Sequence, residues 1–149
     1  MDYYTISETL KKYSPALLRI GMAVVFLYFG ISQLQHPQSF VGWLPKEVSL
    51  IPISSTTFVI LNGAFETFFG TLLLLGIWTR LSAALLGLHL LGITFTIGFT
   101  EVGMRDLGLA LATIALAMFG TTPLGIDDSR EEPSTPDKAY YQNQEQRQQ

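Results

Sequence analysis

Hydrophobic residues in this chain fall into long blocks separated by short polar breaks. Ala16 to Leu34 holds a single charge, Arg19, near its start. Phe58 to Trp78 holds one, Glu66, well inside, and Leu81 to Phe99 holds His89 as its sole ionisable group. A helix crossing roughly 30 Å of hydrocarbon needs about 20 mainly apolar residues at about 1.5 Å each, and these three blocks fit. A fourth run, Leu107 to Phe119, is too short alone. Carried through Gly120, Thr121, Thr122, Pro123 and Leu124 to Ile126 it gives twenty uncharged residues, so a helix starting near Arg105 and fraying near Pro123 is expected. The pattern thus predicts an all-α, polytopic membrane protein. Its four-helix transmembrane bundle covers 16–126, with spans at about 16–34, 58–78, 81–99 and 105–124, after an N-terminal segment over 1–15. A secretory signal is the competing reading of the first block, but no small-x-small cleavage site follows Gly30.

Polar and small residues recur at helical spacing within each block. At 100° per residue, Arg19, Met22, Ala23, Phe26, Gly30 and Gln33 share one face, and Asn62, Gly63, Glu66 and Gly70 share another. The third helix offers Ser82, His89, Gly92 and Thr96, and the fourth Arg105, Gly108, Ala112 and Ala115. Four such stripes describe a bundle with its polar groups turned inward. The small-xxx-small pairs Gly63/Thr67, Ala83/Gly87 and Gly108/Ala112 suit close helix contacts within one chain or in a homo-oligomer.

Composition agrees: of 149 residues 48% are hydrophobic and 14% charged, with mean hydropathy +0.34, against roughly 25% charged in an ordinary soluble domain. Nine of the twenty-one charges lie in Asp127 to Gln149. That Gln- and Asn-rich tail reads as disordered and cytoplasmic. A net charge of -3, with no basic cluster larger than Lys11-Lys12, excludes nucleic-acid binding by a basic surface. The absence of cysteine excludes disulfides, thiolate metal sites and dithiol redox chemistry within the chain.

Lys11, Lys12 and Arg19 flank the first span, and Arg80 sits at the turn between the second and third. The opposite side has Lys46 and Arg105 only. The positive-inside rule therefore puts both termini in the cytoplasm, in the inner membrane, with Arg19 and Arg80 as topology anchors. Tyr13 and Trp78 on one side, and Phe40 and Trp43 on the other, suit the interfacial aromatic belts. The segment His36 to Thr57 holds Pro37, Pro45 and Pro52 and reads as an outer loop on the membrane surface.

An ionisable side chain within a span costs at least about 2.5 kcal/mol on insertion scales, so Glu66 is the most informative residue. With helices starting level, Glu66 lies opposite Phe26 or Leu27, and Arg19 sits about 10 Å farther toward the cytoplasm, out of reach. Arg105 approaches from the outer end, so Glu66, Asn62, Gln33 and Arg105 are expected to form an outer-leaflet polar site. Arg19 is left to meet His89 or a cytoplasmic acid. His89 reads first as an interhelical hydrogen-bonding residue or part of a proton relay. A metal site is not expected, because the only other histidine, His36, is in the loop. Phe65, Phe68 and Phe69 read as packing and lipid-facing surface.

The run Leu18-Arg19-Ile20-Gly21, then Phe26 to Gly30-Ile31-Ser32, resembles the opening of the DoxX family of four-helix membrane proteins. The likeness continues through Glu66, Gly70, Leu72 to Gly76 and Trp78-Thr79-Arg80-Leu81, to the closing Arg105-Asp106-Leu107, Phe119-Gly120 and Leu124-Gly125-Ile126-Asp127. Two positions depart from the family pattern: Gln33 stands where a lysine is common, and Gly120-Thr121-Thr122 replaces a Gly-x-Gly. The resemblance implies a membrane subunit that handles quinone or anchors a soluble or membrane oxidoreductase partner, in sulfur or thiosulfate metabolism or oxidative-stress defence. The residues permit a quinone pocket, in which Glu66, Asn62, Gln33 and Arg105 grip a carbonyl or relay a proton. No cofactor is expected in the chain itself, which points to a non-catalytic subunit rather than an autonomous enzyme. The rival readings are a small proton-coupled transporter using Glu66 and a membrane scaffold without a ligand.

Overall fold

The computed structural model describes residues 3–44, 52–120 and 122–127. It has five helices: α1 (Tyr3–Gln35), α2 (Gln38–Val41), α3 (Ser55–Leu75), α4 (Thr79–Ile97) and α5 (Glu101–Phe119). Four of them, all but α2, are long and apolar enough to cross a membrane, and no strand occurs among the described residues. The protein is thus the expected all-α bundle. Residues 45–51, including Lys46, and 128–149, expected as outer loop and as tail, lie outside the described residues.

Local capping moves the helix ends from where hydropathy put them. Ser54 accepts from Thr57 N at 3.1 Å and starts α3 three residues early. Its end comes at Leu75 because Gly76 turns left-handed (φ 66°), while Ile77 N returns to Leu72 O at 2.9 Å. Thr100 accepts from Gly103 N at 3.1 Å, so α5 starts at Glu101 rather than near Arg105. It ends at Phe119, where Gly120 has φ 88°, so Thr122 and Pro123 are not helical. The first helix runs back to Tyr3 through Pro15, making 7–15 part of one long helix rather than a separate segment. The carbonyl that Pro15 leaves without a helical partner is that of Lys11, in the exposed stretch 8–14.

The bundle consists of two antiparallel hairpins. α1 packs along α3 and α4 along α5, both extensively, whereas α3 meets α4 and α1 meets α5 over much less surface. In the first hairpin Gly30 lies against Gly63 and Thr67, and in the second Gly87 lies against Ala110 and Ile114. Both small pairs, Gly63/Thr67 and Ala83/Gly87, therefore serve contacts inside the chain. Phe26, Leu73, Leu86, Leu90 and Leu116 fill the core. Tyr28, Phe95 and Met118 point outward, as a lipid-facing surface requires.

The inward stripes of α1 and α3 are those read from the sequence, but that of α5 is not. α5 buries Gly103, Asp106, Ala110, Thr113 and Leu116, while Gly108 and Ala115 are exposed. The register between α1 and α3 also differs at the site. Gly70 faces Phe26 and Leu27, and Glu66 sits one turn farther along, beside Gln33.

At the end of the bundle where α3 turns into α4, residues 122–127 fold back onto the turn. Ile126 N donates to Leu75 O at 3.1 Å and Asp127 N to Gly76 O at 2.9 Å. The Asp127 carboxylate accepts from Thr79 N at 3.1 Å, capping α4.

Candidate functional site

At the opposite end of the bundle both hairpins line a half-open cavity of about 700 Å³. Phe26, Phe29, Phe58, Val59 and Ile93 form apolar wall, and Phe40, Trp43 and Leu44, carried by α2 and the turn after it, cover the axial end. Gln33, Asn62, Glu66, His89 and Arg105 all line it, together with Asp106.

Four of these side chains meet. Asn62 Nδ2 donates to Gln33 Oε1 at 2.7 Å and to Glu66 Oε1 at 3.1 Å, and Gln33 Nε2 donates to Glu66 Oε2 at 3.3 Å. Glu66 is 3% exposed, and both of its oxygens are held by amides. Helix geometry explains the arrangement: Asn62 and Glu66 are four residues apart on α3, and the close contact of Gly30 with Gly63 brings Gln33 of α1 alongside. From the other hairpin, His89 Nε2 comes within 3.6 Å of Glu66 Oε1, too long for a hydrogen bond but close enough to pair if the imidazole is protonated. The ring is held against Phe65, 4.8 Å between centroids, and Nε2 is buried without a hydrogen-bond partner.

Arg105 corrects the expectation that it would join Glu66 or Asn62. Its guanidinium is bound to the adjacent Asp106 (Nε at 2.9 Å, Nη2 at 2.8 Å from Oδ1) and lies over the Phe29 ring at 5.8 Å from the centroid. Asp106, 7% exposed, was missed as a site residue because it was counted among the interface charges. Its spacing from Gly103, Ala110 and Thr113 was the available signal, since those positions share a helix face with it.

Arg19 is not a solvent-exposed anchor. It is 1% exposed and donates from Nη1 to the Leu73 and Leu74 carbonyls at 3.0 and 2.7 Å. Both are last-turn carbonyls of α3. Leu73 O also accepts from Gly76 N at 3.2 Å, and the buried guanidinium adds to that bond and caps Leu74 O. Of the two partners expected for it, Asp127 is the one electrostatically felt, while His89 lies with Glu66 instead. Arg80 is exposed, and its guanidinium lies against Gly120. Among the described residues no group of three or more acids and histidines converges as a metal site.

Chemically, the cavity is an apolar chamber with a hydrogen-bonding pole built round one carboxylate and a nearby imidazole. Those are the two side-chain types that most readily exchange protons near neutral pH. A family model described as DoxX matches residues 14–98, more than half of the chain. No curated protein and no solved structure gives a significant match. The match shows that the chain belongs to the DoxX family.

Proposed function

We propose that this DoxX-family membrane protein binds a quinone-type ring in the cavity between its hairpins and moves protons for an oxidoreductase partner. The observation that carries the reading is the cavity itself, about 700 Å³ and largely apolar, with Gln33, Asn62, Glu66 and His89 gathered at one place on its wall. Ligand sites of roughly 300–1,000 Å³ have this character: extensive apolar lining and a few placed polar groups. Interconversion of a quinone and its quinol moves two electrons and two protons. The electrons belong to the partner, and the protons pass through Glu66 and His89. Lys11, Lys12 and Arg80 at the closed end, against Arg105 at the cavity end, support an inner-membrane orientation with both termini cytoplasmic and the cavity toward the outer face.

The test uses Trp43, which lines the cavity, as reporter, with Trp78→Phe removing the chain's other tryptophan. In lipid nanodiscs, a short-chain benzoquinone is expected to quench Trp43 saturably. Gln33→Leu, which removes the amide N–H left over to meet a ring carbonyl, should weaken the affinity about fivefold, the worth of one neutral hydrogen bond. Quenching that rises linearly in both proteins, as partition into lipid alone would give, removes the proposal and leaves the scaffold reading.

A further inference from the structure

The hydrogen-bond inventory of the cavity's polar pole is lopsided. Both N–H groups of Asn62 are spent, one on Gln33 Oε1 and one on Glu66 Oε1, and one of the two on Gln33 is spent on Glu66 Oε2. A carboxylate has about four lone-pair sites, of which these bonds fill two. The Asn62 carbonyl oxygen also accepts from no side chain among the described residues, whereas its donors are used up. The strongest cationic donor in the cavity wall, Arg105, stands apart from this pole: it spends two of its five N–H groups on Asp106 and lies over the Phe29 ring. What the pole offers a ligand is therefore mainly acceptors, beside an imidazole whose Nε2 is buried and unpartnered.

The geometry points to a ligand that arrives as a hydrogen-bond donor: the cavity takes the ring in its hydroxyl-bearing, quinol form in preference to the carbonyl-bearing quinone. This inference rests on the quinone-type reading of the cavity and adds its polarity. A ring hydroxyl donating to Glu66 satisfies an acceptor that the amides leave open. A ring carbonyl there sets oxygen lone pairs against carboxylate lone pairs, with only the spare Gln33 N–H and the imidazole to answer it. Glu66 and His89, 3.6 Å apart, are also placed so that a proton leaving that hydroxyl has a carboxylate and a ring nitrogen to receive it. Binding alone oxidises nothing, so the preference is readable without the partner.

The experiment is a competition against the benzoquinone bound beside Trp43, run anaerobically with the matching hydroquinone. A redox-inert pair is run alongside: a 4-alkylphenol and its methyl ether, which differ only in the O–H. The hydroquinone is expected to bind about tenfold more tightly than the quinone, and the phenol about tenfold more tightly than the ether. Glu66→Gln, which adds two N–H donors at constant size, should shrink both ratios to near unity. Equal or inverted ratios in the wild-type protein overturn the preference while leaving the cavity reading standing. Ratios that survive Glu66→Gln remove Glu66 as its cause, and absence of saturable binding by every probe defeats both readings.

Discussion

Replacing Gly30 with alanine isolates the contact that sets the site. A Cβ built at Gly30 comes 2.6 Å from Thr67 Oγ1, 2.8 Å from Thr67 N and 2.9 Å from Gly63 O. Two of those atoms are backbone and cannot swing away, so α1 and α3 must part by about 0.5–1 Å to restore ordinary contact. Overpacking of this kind costs about 1–3 kcal/mol. Gln33 lies one turn beyond Gly30, and its bond to Glu66 is already 3.3 Å long, so the same displacement takes it out of hydrogen-bond range. That adds about 1.5–3 kcal/mol for a lost bond to a charged group, and the expected total is about 2.5–6 kcal/mol. Gly108 is the control. It is exposed with nothing within 4 Å of an added Cβ, so Gly108→Ala should change stability by less than about 0.5 kcal/mol. Unfolding by SDS in mixed micelles, followed by circular dichroism, compares the two, with quinone quenching of Trp43 as a second readout. If Gly30→Ala unfolds at the same SDS fraction as Gly108→Ala and binds unchanged, the close approach of α1 and α3 does not hold the network.

Asp127→Ala removes the side-chain cap of α4 and the acid beside Arg19, and should lower stability by about 1 kcal/mol in the same assay. Arg19→Met strands the Leu74 carbonyl and takes one of two donors from Leu73 O, and should cost about 1–3 kcal/mol, with Arg19→Lys intermediate because an ammonium keeps a cationic donor there. An unfolding midpoint for Arg19→Met within error of wild type would show that the buried guanidinium is not capping α3. Because the chain has no cysteine, single replacements report topology without background: Ser39→Cys should react with an impermeant maleimide from outside intact cells, and Lys12→Cys only after lysis. The opposite pattern reverses the assigned orientation.

The spans and two of the inward stripes were legible because each rests on a local period. Arg19, Gly30 and Gln33 on α1, and Gly63, Glu66 and Gly70 on α3, recur at helical spacing and are buried where they recur. Helix ends were less legible, because Ser54, Thr100 and Gly76 act through capping geometry that hydropathy averages away. The face of α5 was misread because Arg105 and Asp106 are adjacent charges 100° apart, and the periodicity alone does not say which turns inward. The structure resolves this by side-chain length. Arg105 keeps half of its side chain exposed while reaching back, and the shorter Asp106 is buried beneath it. The cavity was not legible at all as a shape. Its wall comes from both hairpins and from the residues carried by α2 and the turn after it; Gln33, Asn62, Glu66 and Arg105, named together from the sequence, and His89, named apart from them, are among its lining.

The hairpins are joined unequally at their two ends. Near the chain termini they share the turn Gly76 to Trp78, and the backbone bonds of Ile126 and Asp127 tie them a second time. At the cavity end the hairpins meet through side chains: His89 approaches Glu66 at 3.6 Å and packs on Phe65, and the guanidinium of Arg105 lies over Phe29. Any relative motion of hairpins joined in this way has its fulcrum at the stitched end. A rotation of about 5° about a fulcrum about 25 Å away displaces the cavity ends by about 2 Å while leaving the fulcrum in place. Nitroxide labels at Gln35 and Phe99 should show a distance distribution that a bound ring narrows, and one unchanged by ligand would dismiss the motion. Because the turn after α2 covers the axial opening, hairpins that part there open sideways into the acyl chains. For the proposed ring ligand, the concentration that counts is then a mole fraction in the bilayer plane, set by how strongly the molecule prefers lipid to water before it meets Glu66.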